Sequence, residues 1–174
     1  MKSRNILPLA ILVLITMAII TGACSRAPVF EQYQRLSDNN WMRFHTLWFE
    51  HTPKKSDRPM QIELVIRYNE AFKGNRIDLM ATIHTPVGEQ RFKEYHLTVR
   101  NHEGRLLGQA PESAGSPPAW YEGIIVLRSD YVFQEEGLFR FEIENLMSKY
   151  DNPGILEIGL RIIHAEKKKE SQKS

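Results

Sequence analysis

Six histidines, 21 acidic side chains and one cysteine are the groups in this 174-residue chain that could carry chemistry. Spacing limits what they can do. His45 and His51 stand six positions apart, as do His96 and His102. Six residues of strand span about 20 Å, so neither pair can chelate one ion. His84 and His96 could approach only through strand pairing. The chain has no HExxH, no phosphate-cradling glycine loop and no GxSxG. Glu135 and Glu136 adjoin Gly137, and a solvated turn accounts for them without acid–base catalysis. The single Cys24 excludes an internal disulfide framework and a cysteine-rich zinc site. These residues describe a protein with no catalytic group, no metal and no cofactor, and so not an enzyme.

Aromatic side chains are better candidates, because large rings anchor protein interfaces. Trp41 follows the polar stretch Ser37-Asp38-Asn39-Asn40, and Trp120-Tyr121 follows a loop at 111–118 rich in Pro, Gly and Ser. Trp41, Trp120 and Tyr121 form the candidate contact surface. Of the two tryptophans, Trp41 is the one expected to be structural, since it leads into the first strand. Trp48 lies within a strand and is expected in the core. A second use of Trp41, Trp48 and Trp120-Tyr121 is a flat platform for sugar rings, which would make the protein a carbohydrate-binding sandwich.

The elements that position these rings follow from composition and period. With 42% hydrophobic and 25% charged residues, the chain can bury one ordinary core. It carries 23 basic and 21 acidic side chains, and the two excess cations are accounted for by Lys2 and Arg4. The neutral remainder has no field to draw it to nucleic acid. Apolar residues alternate with polar ones through Ile62–Tyr68, Ile77–Ile83, Tyr95–Val99, Phe139–Ile143 and Leu156–Ile162, the period of a strand. Leu47–Phe49 adds a further strand. Phe92 breaks the parity of the Tyr95 strand, which predicts a bulge or turn near Lys93. Tyr121–Leu127 is apolar on both faces apart from Glu122 and Gly123, and reads as a central strand. Turn signals punctuate the runs at Thr52-Pro53, Lys73-Gly74-Asn75, Thr85-Pro86-Val87-Gly88, Asn101–Gly104 and Asp151–Gly154. About eight such strands predict an all-β, antiparallel sandwich, Ig-like or jelly-roll-like, with one short helix near 143–150.

The N-terminus reads as a targeting segment. Lys2 and Arg4 precede an apolar run from Ile6 to Ile20, broken only by Pro8 and Thr16. The run falls short of the roughly 20 residues a spanning helix needs. Thr21-Gly22-Ala23 and then Cys24 resemble the lipobox of bacterial lipoproteins, with Thr21 where that pattern usually has leucine. The resemblance implies a signal peptide over 1–23 and acylation of Cys24 as the first mature residue. Residues 24–28 form a short tether, 29–165 the sandwich domain and 166–174 a charged tail. Two or more acyl chains hold a protein stably in a bilayer. Cys24 is followed by Ser25 rather than an acid, and no acidic run follows. By resemblance to lipoprotein sorting signals, this implies the outer membrane, facing the periplasm.

A wider resemblance covers nearly the whole mature chain. Its parts are Val29-Phe30-Glu31-Gln32-Tyr33 continuing to Trp41, and Glu103–Gly108 after Tyr95-x-Leu97. Gly137-x-Phe139-x-Phe141-x-Ile143-Glu144-x-x-Met147 and Ile158-Gly159-Leu160-Arg161-Ile162 complete it. In this order the chain resembles the GldH family of gliding-motility lipoproteins. The resemblance implies an envelope lipoprotein tied to the gliding apparatus, which is coupled to type IX secretion. It implies protein partners in that apparatus, and it brings no enzyme activity.

Overall fold

Alternating burial turns the period-two runs into eight strands. A computed structural model describes residues 27–111 and 118–166. The strands are β1 (Phe30–Arg35), β2 (Leu47–His51), β3 (Met60–Tyr68), β4 (Arg76–His84), β5 (Gln90–Thr98), β6 (Tyr121–Tyr131), β7 (Phe139–Asn145) and β8 (Ile155–His164). They form two antiparallel four-stranded sheets, β1-β8-β3-β6 and β2-β7-β4-β5. Strand pairs β1–β8, β2–β7, β3–β6 and β4–β5 make one long antiparallel ribbon, rolled so that alternate pairs join opposite sheets. That order is the jelly roll, which decides between the two sandwich types the sequence left open.

The core fills the space between the sheets. Ile62, Leu64, Ile66 and Tyr68 of β3 face it from one sheet, and Ile77, Leu79, Ala81 and Ile83 of β4 from the other. Phe139, Phe141 and Ile143 of β7 and Ile158, Leu160 and Ile162 of β8 complete it. Each large apolar side chain so buried contributes roughly 1.5–3 kcal/mol.

Several elements depart from the sequence expectation, each for a physical reason. No helix forms at 143–150. Ile143 and Asn145 stay in β7, where every second residue from Phe139 is buried. The Asn145 side chain then captures the chain: its Oδ1 accepts from the Met147 N–H at 2.8 Å, and its Nδ2 donates to the Trp41 carbonyl at 2.9 Å. An amide that takes up backbone groups favours a turn over a helix. Among the described residues the one helical piece is a 3₁₀ turn at Ser37–Asn39.

Strand β6 is an edge, not a centre. The doubly covered strand is β3, whose outward Glu63 and Val65 are both buried. Arg161 of β8 pairs with Glu63, and Val65 stands between Gly159 of β8 and Ile124 of β6, so an alternating sequence ends up covered on both faces. Strand β5 pairs with β4 from Arg76↔Thr98 to His84↔Gln90 without a slip, so no bulge occurs at Lys93. Phe92 sits on the outer face, 73% exposed. Strand β1 is not among the strands that the sequence predicts. Its sequence FEQYQR barely alternates, because an edge strand buries little.

The chain enters the sandwich at one pole, where Phe30, His51, Met60, the β4–β5 turn and the end of β8 gather. The opposite pole carries the loops at 36–46, 69–75 and 146–154.

Candidate functional site

Register places alternating charges across the outer face of the β1-β8-β3-β6 sheet. Arg35, Glu157, Arg67 and Glu122 stand side by side across it, and so do Glu31, Arg161 and Glu63. Arg67 Nη1 donates to Glu157 at 2.7 Å and its Nε to Glu122 at 3.1 Å. Arg161 Nη2 pairs with Glu63 at 2.7 Å. Burial pulls the Arg67 pKa down, but the two carboxylates outweigh it and raise it overall. The guanidinium of Arg67 lies 4.4 Å from the Tyr33 ring centroid and 4.8 Å from that of Trp120. Stacking of this kind desolvates a cation and orders the rings. Burial, then the hydrogen bond to Glu31, push the Tyr33 hydroxyl up in pKa. Of these charges all but Arg35 have a partner, so the network braces the sheet and offers no free acid or base.

Trp120 is therefore a half-buried ring held over this face by Arg67. Tyr121 turns the other way. It packs against the core and stacks on Tyr68, with ring centroids 6.5 Å apart. The Tyr68 hydroxyl donates to the Leu107 carbonyl at 2.7 Å, and burial pushes its pKa up to about 12.

Trp41 does not belong to a contact surface, because it is fully buried. Its indole Nε1 donates to the His45 carbonyl at 2.8 Å. Its own carbonyl accepts from the buried amides of Asn145 and Asn152, at 2.9 and 3.0 Å. Trp41 thus staples the 36–46 loop to the β7–β8 loop. Trp48 reverses the other expectation: it is 45% exposed on the outer face of the second sheet. Its ring lies 5.5 Å from that of His84, whose Nε2 is 2.9 Å from Glu142 Oε2. Alternation explains this, since Leu47 and Phe49 take the inward positions of β2. With one tryptophan buried and the other two on opposite faces, the three cannot form one sugar platform.

The staple at Trp41 shapes the next four residues into a tight turn closed by the His45 N–H on the Met42 carbonyl, at 3.1 Å. Phe44 is its third residue, with φ at 70°. Glycine is the usual occupant of that conformation, and an L side chain there costs about 1–2 kcal/mol. Yet Phe44 is 79% exposed and buries almost nothing in return. The Arg43 guanidinium lies 5.2 Å from its ring, and the Arg43 N–H donates to the Tyr150 carbonyl at 2.8 Å. Met42 and Tyr150 are exposed on the same pole. Sequence reasoning missed Phe44 and Tyr150. The one available signal was an isolated Met42-Arg43-Phe44 in a polar loop.

Among the described residues, no three His, Cys, Asp or Glu side chains converge on a point that could hold a metal. Cys24 lies outside the described residues, as do the signal segment, most of the tether and most of the tail. The family model for the GldH lipoprotein matches residues 28–162, which takes in all eight strands but the last two residues of β8. No curated protein matches the sequence. With one family covering nearly the whole sandwich, the chain belongs to the GldH lipoprotein family.

Proposed function

We propose that this protein is a non-catalytic envelope lipoprotein, held in the membrane by an acylated Cys24, that supports the gliding and type IX secretion apparatus by binding a protein partner. The contact surface is the pole opposite the chain entry, centred on Phe44 with Met42, Arg43 and Tyr150. Phe44 carries the reading. It is a large ring in a conformation that opposes it, presented to solvent. Folding gains from it only an exposed contact with Arg43, whereas a protein interface gains most from such rings. Membership of the GldH family supports the choice of apparatus.

The test is a photo-crosslinking amino acid at position 44 in intact cells, with position 92 as an equally exposed control. An adduct from position 44 with a component of the motility or secretion apparatus is the expected outcome. Adducts from position 92 and none from 44 would move the interface elsewhere and end this reading.

A further inference from the structure

The pole where the chain enters carries a feature that the proposed protein contact does not use. Val29, His51, Lys54, Lys55, Arg58 and His164 line one open cavity there. Lys54, Lys55 and Arg58 are exposed, and none of the three forms an ion pair among the described residues. Elsewhere Arg67, Arg76, Arg91, Arg100, Arg140 and Arg161 each face a carboxylate, whereas Arg35, Arg43 and Arg128 form no ion pair among the described residues. Asp57 is the one acid between Thr52 and Met60.

The loop bearing these cations is pinned. Pro53 is buried, and the Ser56 N–H donates to the Phe133 carbonyl at 3.1 Å. The Ala165 N–H donates to the Pro59 carbonyl at 3.0 Å, which ties the end of β8 to the same loop. The sequence then continues through Lys167-Lys168-Lys169. Exposed Val87 and Leu138 lie at the same pole, on the β4–β5 turn and just before β7.

Chain length fixes what lies opposite. Val29 stands five positions after Cys24, and five residues reach at most about 18 Å. An acylated Cys24 therefore holds this pole, and not the Phe44 pole, beside the bilayer. Unpaired cations within roughly a Debye length of an anionic leaflet are attracted to it.

We propose that the chain-entry pole docks on anionic phospholipid headgroups through Lys54, Lys55 and Arg58, which sets the sandwich upright with Phe44 pointing away from the membrane. The inference rests on the lipid anchor for its geometry. Each such cation is worth roughly fivefold, so the three together shift the docked-to-undocked ratio about a hundredfold.

The mature full chain carries a fluorophore on Ser56→Cys and sits in vesicles whose headgroups bear a quencher. One set contains phosphatidylglycerol, the other phosphatidylcholine alone. Strong quenching in the anionic set, lost at about 1 M salt and in Lys54→Glu/Lys55→Glu/Arg58→Glu, supports docking. Lys73→Glu/Lys149→Glu, at the far pole, should leave it unchanged. Intact mass reports the acylation of Cys24 separately. Acylated protein quenched equally in both sets overturns the docking and leaves the anchor standing. Protein without lipid that still pellets with the anionic vesicles alone supports the docking and removes the anchor. Pelleting with neither removes both.

Discussion

The Tyr33 ring lies flat across Gly159, its cross-strand partner in the β1–β8 register. A Cβ at position 159 would overlap the ring at Cδ1 and Cε1. Space, not backbone conformation, requires glycine here. The flat ring in turn brings Tyr33 within 4.4 Å of the Arg67 guanidinium. Gly159→Ala should therefore lift Tyr33 and cost about 1–3 kcal/mol, the usual range for an overpacked site. The loss should shrink in a Tyr33→Ala background, where the clash is gone. A double-mutant cycle by chemical denaturation measures the coupling, and purely additive effects would disprove the contact.

Trp41 should behave as a core residue. Trp41→Ala removes a fully buried ring and the staple between two loops, at about 3–5 kcal/mol. Thermal melting of the variant reads it directly. A melting temperature unchanged from the parent would contradict the burial.

Phe44 should behave in the opposite way. Phe44→Gly relieves the left-handed backbone while giving up little burial, so stability should hold or rise by up to about 1 kcal/mol. Recovery of the partner from membranes should fall at least tenfold, as for an interface anchor worth roughly 2 kcal/mol. A drop in stability larger than about 1 kcal/mol would make Phe44 a folding residue instead.

Acid should weaken the chain-entry pole. His51 lies between Phe30 and Phe133, with ring centroids at 4.4 and 5.9 Å, and burial holds its pKa below the usual value. The unfolded chain then takes up a proton before the folded one as pH falls through about 6.5. Stability from this group is full above that pH and declines below it. His51→Leu should flatten the melting-temperature profile between about pH 7 and about pH 5 relative to the parent. Parallel profiles for the two proteins would exclude His51 as the source.

Period-two alternation was enough to read β3, β4, β7 and β8, because their inward residues are apolar and the pattern is local. Position in a sheet is not local. The outward Val65 is buried because β3 has a neighbour on both sides, Gly159 beneath the Tyr33 ring on one and Ile124 on the other. The apolar outer residue Val126 is exposed because β6 has a neighbour on one side alone. Nothing within either segment distinguishes the two cases.

What the sequence determined by itself was the sandwich class, the neutral charge balance and the family, since each depends on residue type and order along the chain. The tertiary structure decided the roles of the aromatic rings. Trp41 is buried because Asn145 and Asn152, more than 100 positions away, close on its carbonyl. Trp48 is exposed because inward places in β2 went to Leu47 and Phe49. Phe44 stands out because the staple at Trp41 bends the backbone after it. Contacts between distant segments settle burial, strain and pole, and those are the quantities that make a side chain part of a surface.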